Sequence, residues 1–139
     1  MEKQLLKLPA SALGVGLVER KFTERWPTVE RYCIFGSHGF LGSRLKTHLE
    51  TSGQEVIRGE RNGIVDDGVD WAVYCATYGN MYNQTDRQET YKANVDTFKN
   101  VADYLFFKRI KGLIYISSSS VLLPVQTDYS SAKKMGEIV

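Results

Sequence analysis

The sequence predicts an α/β domain built on a parallel sheet, and three observations predict it. Short apolar runs of strand length alternate with stretches whose apolar residues recur at helical spacing. The first run leads into Gly36-Ser37-His38-Gly39-Phe40-Leu41-Gly42, a glycine-punctuated turn placed where a strand would hand over to a helix. The chain has 139 residues, the size of one domain, and a chain of that length buries roughly two-thirds of its unfolded surface.

Residues 1–29 read as an N-terminal extension and 30–139 as the α/β domain, with Pro27 near the boundary. Leu5 to Val18 is mildly apolar, but Lys7, Pro9 and the glycines break it too early for a signal peptide. Arg31 to Phe35 is a short buried strand, and Phe40, Leu41, Leu45 and Leu49 then fall at helical spacing up to Gly53, which suits a helix C-terminus. Glu55 to Arg58 is the second strand and Trp71 to Cys75 the third. Thr85 and Gln88 make a capping box, and behind it Tyr91, Val95, Phe98, Val101 and Leu105 line one face of a helix. Leu113 to Ile116 is the fourth strand, ending in Ser117 to Ser120, and a last helix starts near Tyr129. Only nine residues separate Glu60 from Asp70, whereas a crossover helix with its turns needs about 10–12. A strand and helix are therefore expected to be missing there, leaving a reduced sheet of about four strands.

The net charge of +2 is too small and dispersed for a nucleic-acid surface. No stretch reaches the ~18 apolar residues of a membrane span, so a cytoplasmic protein is expected. Cys33 and Cys75 sit inside apolar runs as reduced thiols, and no Cys or His pair has metal-ligand spacing.

Chemistry concentrates in four places. In the glycine turn, Gly36 permits a tight bend, Gly39 lets backbone N–H groups approach a pyrophosphate, and Gly42 allows the helix to pack closely on the strand. The helix N-terminus then faces the phosphates with its partial positive charge. Glu60, 24 residues after Gly36, stands at the end of the second strand, where a carboxylate can accept both ribose hydroxyls. That favours NAD, while Arg58 and Arg61 beside it offer the alternative of gripping the 2′-phosphate of NADP. Tyr129 and Lys133 share a helix face. A phenol with an ordinary pKa near 10 is a poor base at neutral pH, and an ammonium one turn away eases its proton transfer. The serine run lies at a strand's C-terminal end, where ligands bind in open α/β sheets.

Together these residues resemble the extended short-chain dehydrogenase/reductase family, in its NAD(P)-dependent epimerase/dehydratase branch, over about residues 31–139. Gly36 to Gly42 is similar to the branch's G-x-x-G-F-L/I-G. Val73-Tyr74-Cys75-Ala76-Thr77 resembles H-x-A-A, the strand-to-loop segment beside the cofactor, with tyrosine for the histidine and threonine for the second alanine. Asn94 to Val101 resembles N-V-x-G-T-x-N-L, with Thr97 and Phe98 in place of Gly-Thr. Ile114 to Val121 is similar to the strand that carries the catalytic serine, with Ser119 the best candidate and Ser118 next.

The resemblance implies a Rossmann-like doubly wound sheet that holds NAD or NADP through Gly36, Ser37, His38, Gly39, Phe40, Leu41, Gly42, Glu60, Arg61, Cys75, Ala76 and Thr77. It implies that Tyr129 exchanges a proton with a substrate hydroxyl, Ser119 orients that oxygen, Lys133 holds the nicotinamide ribose, and Asn94 serves structure and proton relay. Nucleotide-activated sugars are the implied substrates. The departures matter too. Ser119 and Tyr129 are ten apart, leaving a shortened loop over 121–128, and six residues follow Lys133. Later strands and the substrate lobe are expected to be absent, and with them the cover of one sheet edge. Self-association, a complementing C-terminal chain, or a longer parent chain would each supply it. Two readings follow: a hydride-transferring enzyme, and a dinucleotide-binding module or fragment without turnover of its own.

Overall fold

A computed structural model describes residues 29–60 and 68–139. The extension expected at 1–29 therefore lies outside the described residues except for Val29, and so does Arg61. The fold is a doubly wound α/β sheet with four parallel strands in the order β2-β1-β3-β4. These are β1 (Arg31–Phe35), β2 (Glu55–Gly59), β3 (Trp71–Tyr74) and β4 (Gly112–Tyr115). Helix α1 (Phe40–Thr51) connects β1 to β2. Helices α2 (Arg87–Tyr91) and α3 (Thr97–Lys108), joined by a π-helical turn over Lys92–Asp96, connect β3 to β4. A 3-10 turn (Ser119–Leu122) precedes α4 (Asp128–Gly136). The sheet of the described residues has four strands, the number expected from the sequence, and residues 61–67 between β2 and β3 lie outside the described residues.

The central strands β1 and β3 are buried on both faces, as parallel strands flanked by helices are, while the outer strands β2 and β4 are only partly covered. Cys33, Phe35, Ala72 and Tyr74 point to the α3 side and meet Phe98, Val101 and Leu105. Ile34 and Val73 point the other way and are also buried. The aromatic centre is tight: the Tyr74 ring lies 5.6 Å from Phe35 and 5.0 Å from Phe98, and Phe98 lies 4.3 Å from Tyr115. Such pairs contribute about 0.5–1.5 kcal/mol each beyond the area they bury.

Polar groups tie the strand starts together. Lys111 Nζ contacts Glu30 at 2.8 Å and Asp70 at 3.0 Å. Trp71 Nε1 donates to Glu30 at 2.6 Å, and the Arg31 N–H donates to Asp70 at 2.9 Å. The Lys111 bond holds the Glu30 carboxyl below its usual range, and the Arg31 N–H does the same for Asp70.

One local expectation is corrected. The cap of the helix after β3 is Asp86, not Thr85: the Asp86 carboxylate accepts the Glu89 N–H at 3.0 Å. A carboxylate at that position also meets the helix dipole favourably, which a threonine hydroxyl does not. In α1 the apolar residues have the expected spacing, but Phe40 is 77% exposed and Leu41 45%. Phe40 is the first residue of the helix, and the Arg44 guanidinium covers its ring at 4.3 Å. The last helix starts at Asp128 behind a full capping box between Thr127 and Ser130. No helix among the described residues is long and apolar enough to cross a membrane.

Candidate functional site

The chain leaves β1 towards β2 on one side and leaves β3 towards β4 on the other. That divergence opens a crevice at the carboxyl ends of β1 and β3, the position where open α/β sheets bind ligands. A cleft of about 430 Å³ occupies it, lined by Gly36, Glu60, Tyr74, Ala76, Thr77 and Lys92 among others.

The glycine turn forms one wall. Gly36 has φ +81°, and a Cβ there would lie 2.7 Å from the Ala76 nitrogen, so the bend and the approach to the loop after β3 both require glycine. A Cβ on Gly42 would overlap the Gly36 carbonyl, which fixes the distance between α1 and the turn. Gly39 differs. Its φ of −74° suits any residue, and a Cβ would meet only the Gly36 carbonyl, at 3.3 Å. The protein's own packing demands glycine at 36 and 42 and barely at 39. Gly39 is also the N-cap of α1, and no side chain caps that helix and no acidic residue lies in its first turn. Its leading N–H groups are therefore available to an anion. Ser37 is buried, with its Oγ 3.4 Å from Nδ1 of the exposed His38.

Glu60 follows β2 and is exposed at the cleft rim. The opposite wall comes from the loop after β3 and the helix beyond it. Asn94 is fully buried in the π-helical turn. Its Oδ1 accepts from Thr77 Oγ1 at 2.7 Å, and its Nδ2 donates to the Tyr78 and Thr90 carbonyls, both at 2.8 Å. Asn94 thus fastens the loop carrying Ala76 and Thr77 to the helix, with both side-chain N–H groups in use. Tyr74 is buried, and its hydroxyl donates to the Ala93 carbonyl at 2.7 Å. Burial pushes the Tyr74 phenol far above its ordinary range.

The second group gathers at the ends of β3 and β4. Lys133 is 2% exposed, and its Nζ donates to the Ile116 carbonyl at 2.8 Å and stands 4.7 Å from the centre of the Tyr115 ring. Burial pushes this ammonium down to about 8, and Cys75 acts in the opposite sense. Burial likewise raises the half-buried Cys75 thiol, against the pull of Lys133. Tyr129 is half-buried in the first turn of α4, one turn before Lys133. Ser119 is exposed at the start of the 3-10 turn. The neighbouring Ser118 is committed locally, its Oγ 2.9 Å from Ser120 Oγ and accepting the Ser120 N–H at 3.2 Å.

Sequence reasoning missed several lining residues: Gly59, Tyr78, Glu89, Lys92, Ala93 and Thr97. A Cβ on Gly59 would strike the Phe35 ring, so this glycine sets how closely β2 approaches β1. The others come from the loop and helix following β3. The available signal was their nearness to Asn94, since Lys92 and Ala93 share its turn.

No protein-family model matches the sequence, and no curated protein matches it. Solved structures do. MoeE5, solved with UDP-glucose and NAD, superposes with a TM-score of 0.68 at 20% identity, over 78% of this chain and 47% of that one. The dTDP-4-dehydrorhamnose reductase of Bacillus anthracis, solved with NADP, gives 0.65 at 22% identity over 81% and 49%. A UDP-galactose 4-epimerase gives 0.65 at 21% identity over 78% and 49%. The chain spans about half the length of each of these proteins. At such identities the likeness speaks for the fold, and the fold is the Rossmann-like, doubly wound parallel sheet expected from the sequence.

Proposed function

We propose that this chain is the NAD(P)-binding domain of a nucleotide-sugar epimerase, dehydratase or reductase. The observation that carries the reading is Gly39: a glycine that the protein's own packing scarcely needs, at the uncapped start of α1, in the turn whose first residue, Gly36, lines the cleft. The residues fit a dinucleotide. The turn from Gly36 to Gly42 and the first N–H groups of α1 would hold the pyrophosphate, and Glu60 the adenosine ribose. Ala76 and Thr77 would line its path towards β4. Solved structures of the same fold hold NAD or NADP, and one of them also holds UDP-glucose.

Bound there, the nicotinamide would supply hydride acceptance and donation. The chain's own groups do the rest. Lys133, anchored on the Ile116 carbonyl, has two further N–H groups to offer to ribose hydroxyls. Tyr129 exchanges a proton with the substrate hydroxyl, and Ser119 orients that oxygen. Asn94 acts through position, holding the loop of Ala76 and Thr77 against the helix.

Titration with NADH and NADPH, followed by nicotinamide fluorescence, tests the binding step. Binding that favours NADH and is lost in Gly39→Val, with the fold intact by circular dichroism, is expected. Undiminished binding in that variant would refute the assignment of the turn. Turnover is tested at 340 nm with UDP- and dTDP-sugars, and equal rates in Tyr129→Phe would remove its assigned role. One observation favours a second reading, a binding module without turnover. Residues 122–128, at the position of the substrate-side loop, are all exposed and build no wall beside Ser119.

A further inference from the structure

Three charged residues line the cleft at the ends of β1 and β3: Glu60, the ribose ligand proposed above, and Glu89 and Lys92 from the helical segment that follows β3. Ser119, Tyr129 and Lys133 are not among its lining residues. The cleft is therefore the adenosine side of the cofactor site, with the reacting groups towards β4.

Glu89 is the third residue of α2, where a glutamate commonly reaches back to the N–H of the capping residue. Here only half of that arrangement forms. Asp86 accepts the Glu89 N–H at 3.0 Å, and the Glu89 carboxylate meets Lys92 Nζ instead, at 3.4 Å through Oε1. Both side chains are more than half exposed, and an ion pair of that kind contributes little to stability. Among the described residues this contact leaves Oε2 of Glu89 and two N–H groups of Lys92 open to a ligand.

The pair sets a hydrogen-bond acceptor beside a donor. Adenine carries the complementary edge, an exocyclic amine beside a ring nitrogen that accepts. The buried rings of Phe35 and Tyr74 also line the cleft, together with Ala76, and give it apolar surface for a flat base. A phosphate would suit this lining poorly, since two carboxylates stand against one ammonium. Its place is the glycine turn, with the uncapped N–H groups of α1.

We propose that Glu89 and Lys92 read the adenine of the dinucleotide, Glu89 accepting its exocyclic amine and Lys92 donating to the ring nitrogen beside it. The inference rests on the cofactor site proposed above and adds to it the residues that select the base. Neither residue is needed for the fold, so both can be changed in the intact chain.

The test compares NADH with reduced nicotinamide hypoxanthine dinucleotide, which has an oxygen in place of the amine. That oxygen would face the Glu89 carboxylate with no proton to offer. Both are titrated into the full chain and followed by nicotinamide fluorescence. The parent chain is expected to bind NADH about fivefold more tightly or better. Glu89→Ala should bring the two affinities within about twofold of each other, whereas Glu89→Gln, which keeps an acceptor oxygen, should retain the preference. Equal affinities in the parent chain, or a preference that survives Glu89→Ala, would overturn the base-reading role and leave the cofactor site standing. Failure of either dinucleotide to bind would overturn both.

Discussion

In the crevice between β1 and β3, backbone contacts are closed to the limit that glycine permits. Gly36 meets the loop after β3, Gly42 meets Gly36, Gly59 meets Phe35, and Asn94 satisfies three partners at once. On the flank formed by β4, the 3-10 turn and α4, large apolar side chains stand open. Ile114 is 47% exposed, Leu122 84%, Val125 79% and Ile138 79%. The difference teaches which part of the molecule is specified from within. The crevice is determined by its own chain and tolerates little change, whereas the flank leaves large apolar side chains uncovered among the described residues.

The largest expected effect comes from breaking the crevice at its tightest point. Gly42→Ala puts a Cβ into the Gly36 carbonyl, and a loss of about 3 kcal/mol or more is expected in urea unfolding. Gly39→Ala at the same helix start should cost less than about 1 kcal/mol, because only one carbonyl has to give way. Equal costs would show that the two glycines answer to the same constraint, against the assignment made here.

Asn94→Leu should rank next, at about 2–4 kcal/mol, since it strands the Tyr78 and Thr90 carbonyls and the Thr77 hydroxyl. Exchange-detected loosening should appear first over the loop 76–79. A protected loop in the variant would contradict the fastening role.

Where crevice and flank meet, Lys133 gives a pH signature. Its folded pKa of about 8 lies below the ordinary lysine value, so between about pH 8 and 10.5 the unfolded chain binds more protons than the folded one. Stability should therefore rise with pH across that window, by up to about 3 kcal/mol for this group alone. Tyr115, raised to about 12, works in the opposite sense above pH 10, where only the unfolded chain loses the phenol proton. Lys133→Met should abolish the rise, and a rise that persists would have to be assigned to another group.

The smallest effect on stability belongs to the flank. Leu122→Ser and Val125→Ser should each change unfolding by less than about 0.5 kcal/mol. Unfolding costs above that size would mean the flank is already packed from within.

Much of the crevice was legible because glycine and strand signals are local. The run Arg31 to Phe35 forms β1 with those same ends, and the spacing Val95, Phe98, Val101, Leu105 marks the buried face of the π turn and α3. The π-helical turn around Asn94 left no trace in the pattern, since one shifted hydrogen-bond register hardly alters apolar periodicity. The cap at Asp86 was misplaced by one residue because Thr85 also satisfies the pattern. Glu89 and Lys92 were missed as lining residues because an i,i+3 charged pair on a helix reads as a solvated face until the loop after β3 is seen to fold towards it. Helical spacing identified α1 over Phe40, Leu41, Leu45 and Leu49, but spacing does not decide exposure: Phe40 is 77% exposed and Leu41 45%.

The central claim is that the crevice at the β1/β3 switch binds a dinucleotide. Its most direct test is a titration of the ¹⁵N-labelled chain with NADH, read amide by amide. The account predicts saturable shifts concentrated at residues 36–42, 59–60 and 75–78, with Leu105, Phe106 and Leu113 unaffected. Saturable shifts centred elsewhere, or none at millimolar NADH and NADPH in a chain that retains its fold, would contradict it.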